Sequence, residues 1–204
     1  RRWFIPDDAE KPVDQRRKNQ RPVAIVKAGA GKKLPLPIGI SDYRKASSQY
    51  YYVDKTLLIR DFIDERPQVS LFTRPRRFGK TLNMDMLRVF FEKTYEDTSV
   101  YFRDKRIWAC GEEYRRYQGK YPVIYITFKD VKFETWNDTY DMVTKILRSE
   151  FQRHSELIES ERISPYDKKY LTQVLSGDAN ETDMAMSLLN LSRMMHEHHG
   201  VEPI

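Results

Sequence analysis

"FTRPRRFGKTL", residues 72–82, decides how this chain of 204 residues is read. It contains Gly79-Lys80-Thr81, the ending of a phosphate-binding loop, whose full pattern is G-x-x-x-x-G-K-[ST] between a strand and a helix. In such a loop successive main-chain N–H groups face one concavity and hold phosphate oxygens. The helix that follows adds its positive N-terminal end. The lysine reaches the β- and γ-phosphates and the hydroxyl ligates Mg²⁺. Glycine serves where the backbone takes positive φ or a phosphate leaves no room for a side chain. Here the opening glycine is replaced by Arg74, and Pro75 follows. The competing reading is an ordinary strand-to-helix turn that happens to contain a glycine.

The flanks favour the loop. "QVSLFT" (68–73) reads as a short buried strand. From Gly79 to about Tyr95 the residues Leu82, Met84, Met86, Leu87, Val89, Phe90 and Phe91 give a helix with a wide apolar face. Upstream, Leu57, Leu58, Phe62 and Ile63 recur at helical spacing within 51–65, which Pro67 ends. Residues 96–120 are polar and irregular. "YPVIYITF" (121–128) is the strongest strand signal. Helices are predicted near 134–154, 166–175 and 182–199, with Gly200 suited to the left-handed position after the last, and "VEPI" could open another strand. The order is α/β. A richer-looking stretch, "VKAGAGKK" (26–33), is a decoy: Lys33 has no hydroxyl for a metal and "LPLP" cannot start a helix.

Composition bounds the rest. Hydrophobic content of 40% suffices for a core, and no apolar run approaches the length of a membrane span. "RRWFIPDD" lacks the apolar stretch of a signal peptide. One cysteine, Cys110, excludes an internal disulfide framework, so the chain reads as cytoplasmic. The net charge of +6 sits in residues 1–33, which hold ten Lys/Arg against four Asp/Glu and leave 26 against 26 elsewhere. With five prolines, residues 1–37 read as a basic arm or linker, and "VAIV" (23–26) is its one strand-like piece. Residues 38–204 read as the folded part. The arm is a solvated tail or a nucleic-acid contact.

In order, "LPIGISDYRK", "YYYVDKT", "LFTRPRRFGKTL", "FFE" and "GKYPVIYITFKD" closely resemble the AAA-ATPase-like proteins, whose C-terminal part is often a PD-(D/E)XK nuclease-like domain. The likeness runs from about Leu36 to the end, and the arginine-rich loop is that family's own form. The resemblance implies an AAA/ASCE-like P-loop NTPase, a three-layer sandwich, present here as its N-terminal portion. It implies ATP and Mg²⁺ as cofactors, bound by Arg74, Pro75, Arg76, Arg77, Phe78, Gly79, Lys80 and Thr81. Lys80 would be the catalytic cation and Thr81 the metal ligand. Asp54-Lys55-Thr56 matches the family's Asp-Lys-Thr. It is read either as a nucleotide contact or, for Asp54 or Thr56, as a cap of the helix starting there. Tyr50, Tyr51 and Tyr52 either stack on adenine or pack.

An ATPase of this kind also needs a strand ending in acids to hold Mg²⁺ and orient water. In the family that strand follows the stretch where "HEHHGVEPI" stands, so the expectation is a chain cut just before it, which alone does not hydrolyse ATP. The sheet would lack its middle, and the segment would be poorly stable unless the remaining ATPase domain or a partner filled the gap. Expected partners are that remainder, the nuclease-like domain and nucleic acid through the arm, with no membrane and a homo-oligomer left open. The other readings are a nucleic-acid-binding module and a nucleotide sensor without turnover. His196, His198 and His199 beside Glu197 suggest a metal or, in a last helical turn, a favourable dipole interaction. His154 looks isolated and exposed, and Trp3, Trp108 and Trp136 are expected to pack.

Overall fold

The computed structural model describes residues 34–73, 75 and 78–204. The chain divides into two units, Arg1–Leu34 and Pro35–Ile204. All the described helices lie in the second: α1 Tyr43–Gln49, α2 Leu57–Glu65, α3 Lys80–Phe91, α4 Arg106–Ala109, α5 Glu112–Arg115, α6 Trp136–Arg153, α7 Pro165–Ser176, α8 Glu181–Ala185 and α9 Ser187–His199. Short 3-10 turns cover Thr98–Tyr101 and Ser155–Glu159. "VAIV" falls outside the described residues.

The helices end where local chemistry says they should. Thr135 and Ser164 accept N–H bonds from Asp138 and Asp167 at the starts of α6 and α7, and Asn180 forms a reciprocal capping box with Asp183 on α8. Gly177 and Gly200 take the left-handed conformation after α7 and α9, as expected for Gly200.

The α/β three-layer sandwich expected for a P-loop NTPase is overturned. Among the described residues the architecture is helical and holds no sheet, only an isolated parallel bridge between Glu92 and Tyr121. Strand-like side chains do not make a strand without a neighbour to take their N–H and C=O groups. Among the described residues, 68–73 have no such neighbour: Val69 and Leu71, expected to be buried, are 85% and 84% exposed. Residues 121–128 find two partial ones. Tyr121 exchanges main-chain bonds with the Phe91–Lys93 stretch, and Ile204 donates to Pro122 O and accepts from Ile124 N, at 3.0 and 2.9 Å.

That segment separates two apolar cores. One gathers Tyr43, Ile59, Met86, Val89, Phe90, Phe91, Phe102, Ile107 and Val123. The other gathers Leu147, Phe151, Leu157, Leu171, Val174, Leu191, Met194 and Met195 from α6 to α9. Tyr121 and Val123 pack on the first, Ile124 and Ile126 on the second. A run that is apolar on both sides therefore packs on both sides without being in a sheet, although only Pro122 and Val123 are fully covered and Phe128 is exposed.

Charged groups cross the same seam. Arg88 pairs with Asp85 and Glu92 at 2.7 Å each, Arg153 pairs with Glu92 and, at 2.7 Å, with Glu150, and Glu150 accepts the Tyr125 N–H at 2.8 Å. His154, which the sequence made look exposed, is 6% exposed and lies 3.4 Å from Glu150 and 3.6 Å from Glu156. Burial alone would push its imidazole down, but the two facing carboxylates, Glu150 first, overcome this and hold it up at about 9. His199 is the converse: burial first, then the neighbouring His198, push it down to about 4.

The signs define a pH dependence. His154 binds its proton more tightly folded than unfolded, where histidine titrates near about 6.5. Its contribution is complete below that value and is lost as pH rises through about 9. His154→Gln is expected to remove most of the fall in unfolding free energy across that window, read from denaturant melts at several pH values. An undiminished fall in the variant would assign it to other groups.

Candidate functional site: the turn into α3

Gly79 is the residue before α3 and takes φ 73°, ψ 26°, the left-handed conformation that favours glycine. It supplies no side-chain cap, and the first intrahelical bond runs from Asn83 N to Gly79 O at 2.9 Å. The N–H groups of Lys80, Thr81 and Leu82 therefore precede the helical ladder, at the positive end of a twelve-residue helix. Lys80 folds back over the turn and donates from Nζ to the Pro75 carbonyl at 3.2 Å. Phe78 is 58% exposed, and Thr81 is exposed in the first turn. Arg74, Arg76 and Arg77 lie outside the described residues. Of the predicted loop, Pro75, Phe78, Gly79, Lys80 and Thr81 thus meet at one place.

The middle of α3 is anchored. Asp85, 5% exposed, accepts the Tyr43 N–H at 2.7 Å and the Arg88 guanidinium, tying the helix to α1. Met86, Val89, Phe90 and Phe91 fix the apolar face.

A second element converges on the turn. Lys55 Nζ donates to the Phe78 carbonyl across a long 3.5 Å, and lies 3.7 Å from where a Cβ on Gly79 would stand. Its neighbours have a role that the sequence did not disclose. Neither caps α2, whose start has no side-chain cap. Asp54 Oδ2 instead accepts the Arg106 N–H at 2.8 Å, and Thr56 Oγ1 accepts the Ile107 N–H at 3.1 Å, so the pair caps α4, fifty residues on. Asp54 Oδ1 binds the Thr56 N–H and hydroxyl at 2.8 and 2.7 Å. Thr56 is fully buried.

The aromatic candidates separate. Tyr52 packs edge-on against Tyr43 with centroids 5.4 Å apart, whereas Tyr51 is 44% exposed. Trp108 lies under the Arg115 guanidinium, but Trp136, expected to pack, is 74% exposed. Among the described residues no group of three or more His, Cys, Asp or Glu is arranged to hold a metal: His196 faces Glu202 and His198 Nδ1 meets Ser160 Oγ at 2.8 Å. No described helix is long and apolar enough to cross a membrane.

The start of α3 thus combines a left-handed glycine, leading N–H groups without a side-chain cap and an ammonium folded back towards Pro75. The chain belongs to the AAA-ATPase-like family: the model described as "Predicted AAA-ATPase" matches residues 37–202. It is also similar to an "Uncharacterized protein in vnfD 5'region" of Azotobacter chroococcum mcd 1, 45% identical over 58 residues. That stretch covers 28% of this chain and 11% of the relative's length. No solved structure matches it.

Thr56→Val keeps the side chain's volume but removes the acceptor for Ile107 N–H. A buried donor left unpaired costs about 1–3 kcal/mol. The expected loss of unfolding free energy is of that size, measured by urea titration. A loss below about 0.5 kcal/mol, the ordinary surface-mutation range, would show the α4 cap to be dispensable.

Proposed function

We propose that this chain binds a Mg²⁺-nucleoside triphosphate, ATP by its family, through the turn into α3. The observation that carries the reading is the meeting of a left-handed Gly79, the leading N–H groups of α3 and the Lys80 ammonium at one exposed turn. The residues fit the group. Gly79 keeps the turn free of a side chain where Lys55 Nζ already stands 3.7 Å from the Cβ position, and the helix end carries no side-chain cap of its own.

In this reading the N–H groups of Lys80, Thr81 and Leu82 take phosphate oxygens, and Lys80 leaves the Pro75 carbonyl for the β- and γ-phosphates. The Thr81 hydroxyl would hold Mg²⁺, which supplies charge neutralisation between the phosphates. Arg74, Arg76 and Arg77 would add positive charge on the same side. The family membership supports ATP over other anions. Hydrolysis, a nuclease-like neighbouring domain and nucleic acid as a partner rest on the resemblance alone.

Lys80→Ala is expected to abolish Mg·ATP binding in isothermal titration while leaving the thermal melt within a degree or two of wild type, since Lys80 is not part of either apolar core. Unchanged affinity in that variant would end the reading.

A further inference from the structure

We propose that Lys55 is a second phosphate-binding cation of the turn, held there by the anchoring of its two neighbours on α4; this rests on the nucleotide reading of Gly79–Thr81. Asp54 and Thr56 are committed to the Arg106 and Ile107 N–H groups, so the main chain on both sides of Lys55 is fixed to a separate part of the fold. The side chain between them ends over the Phe78–Gly79 main chain.

A purely structural tie explains this poorly. The bond to Phe78 O is long and lies at an exposed position, where a flexible ammonium–carbonyl contact contributes little and ordering the side chain costs entropy. Among the described residues Lys55 makes no ion pair. A phosphate seated on the leading N–H groups of α3 would meet two ammonium groups arriving from different elements, Lys80 from the helix itself and Lys55 from the segment before α2. Each now donates to a main-chain carbonyl of the turn, a weaker acceptor than phosphate. The Asp-Lys-Thr triplet then has a division of labour: the outer residues cap α4 and the middle one faces the ligand.

The test uses the full chain and titrates Mg·ATP, ADP and AMP into wild type, Lys55→Gln, Lys55→Arg and Lys80→Ala. Glutamine keeps a donor for Phe78 O but removes the charge, and arginine keeps both. The expected result is a loss of Mg·ATP affinity of about 10- to 100-fold in Lys55→Gln, the scale of a hydrogen bond to a charged group. AMP binding should be nearly unchanged, Lys55→Arg should recover most of the loss, and melting temperatures should be equal. Lys55→Gln binding Mg·ATP within twofold of wild type while Lys80→Ala does not bind would overturn this inference and leave the nucleotide site standing. Equal losses for ATP and AMP, or a lowered melting temperature that arginine does not restore, would make Lys55 a structural tie and overturn it too. Absent binding in wild type, or full binding in Lys80→Ala, ends the site reading and this inference with it.

Discussion

Two carboxylates, Glu92 and Glu150, are buried where the two apolar cores meet, and the rest of the fold depends on their being neutralised there. Removing an ionised carboxylate from water costs several kcal/mol even after relaxation. Arg153 answers both, Arg88 shares Glu92, and the Tyr125 N–H and His154 complete Glu150. Burial would raise the Glu150 carboxyl, but these partners hold it below the usual carboxylate range. Such a network specifies which faces meet more than it adds net stability, because its attraction is offset by desolvation. Stability comes from the apolar residues on either side of the seam, and the charges fix their register.

Helix α3 connects this seam to the candidate site. Its C-terminal end runs into Glu92, and its N-terminal end is the Gly79–Lys80 turn. Twelve residues at about 1.5 Å each place the two about 18 Å apart on one rigid element. Asp85 and Arg88 lock the middle to α1 and to the ionic seam. The turn is thus presented by a helix that cannot rotate without breaking buried ion pairs. In the proposed reading its amides are held in place before a ligand arrives, which would reduce the ordering cost of binding.

Local chemistry was legible in the sequence and distant chemistry was not. The helices α6, α7 and α9 follow from apolar spacing and from Thr135, Ser164 and Gly200, all of which act within a turn. The β-branched run at 121–128 was visible, but whether it had strand neighbours depended on residues far away, and the sheet inferred from it is absent among the described residues. The same limit hid α4, whose start is capped by Asp54 and Thr56. For His154 the sequence does carry a local signal, Glu150 one helical turn before it. At the site, Gly79-Lys80-Thr81 was legible because the motif is contiguous. Lys55 was visible only as the middle of a triplet, since nothing in its spacing says that the chain brings it back to Phe78.

The account turns on whether the leading amides of α3 receive an anion. Backbone amide chemical shifts followed by NMR during a Mg·ATP titration read those groups directly. The account predicts saturable shifts concentrated at Gly79, Lys80, Thr81 and Leu82, with the α6–α9 core silent. Saturable binding that leaves these four amides unmoved would contradict it.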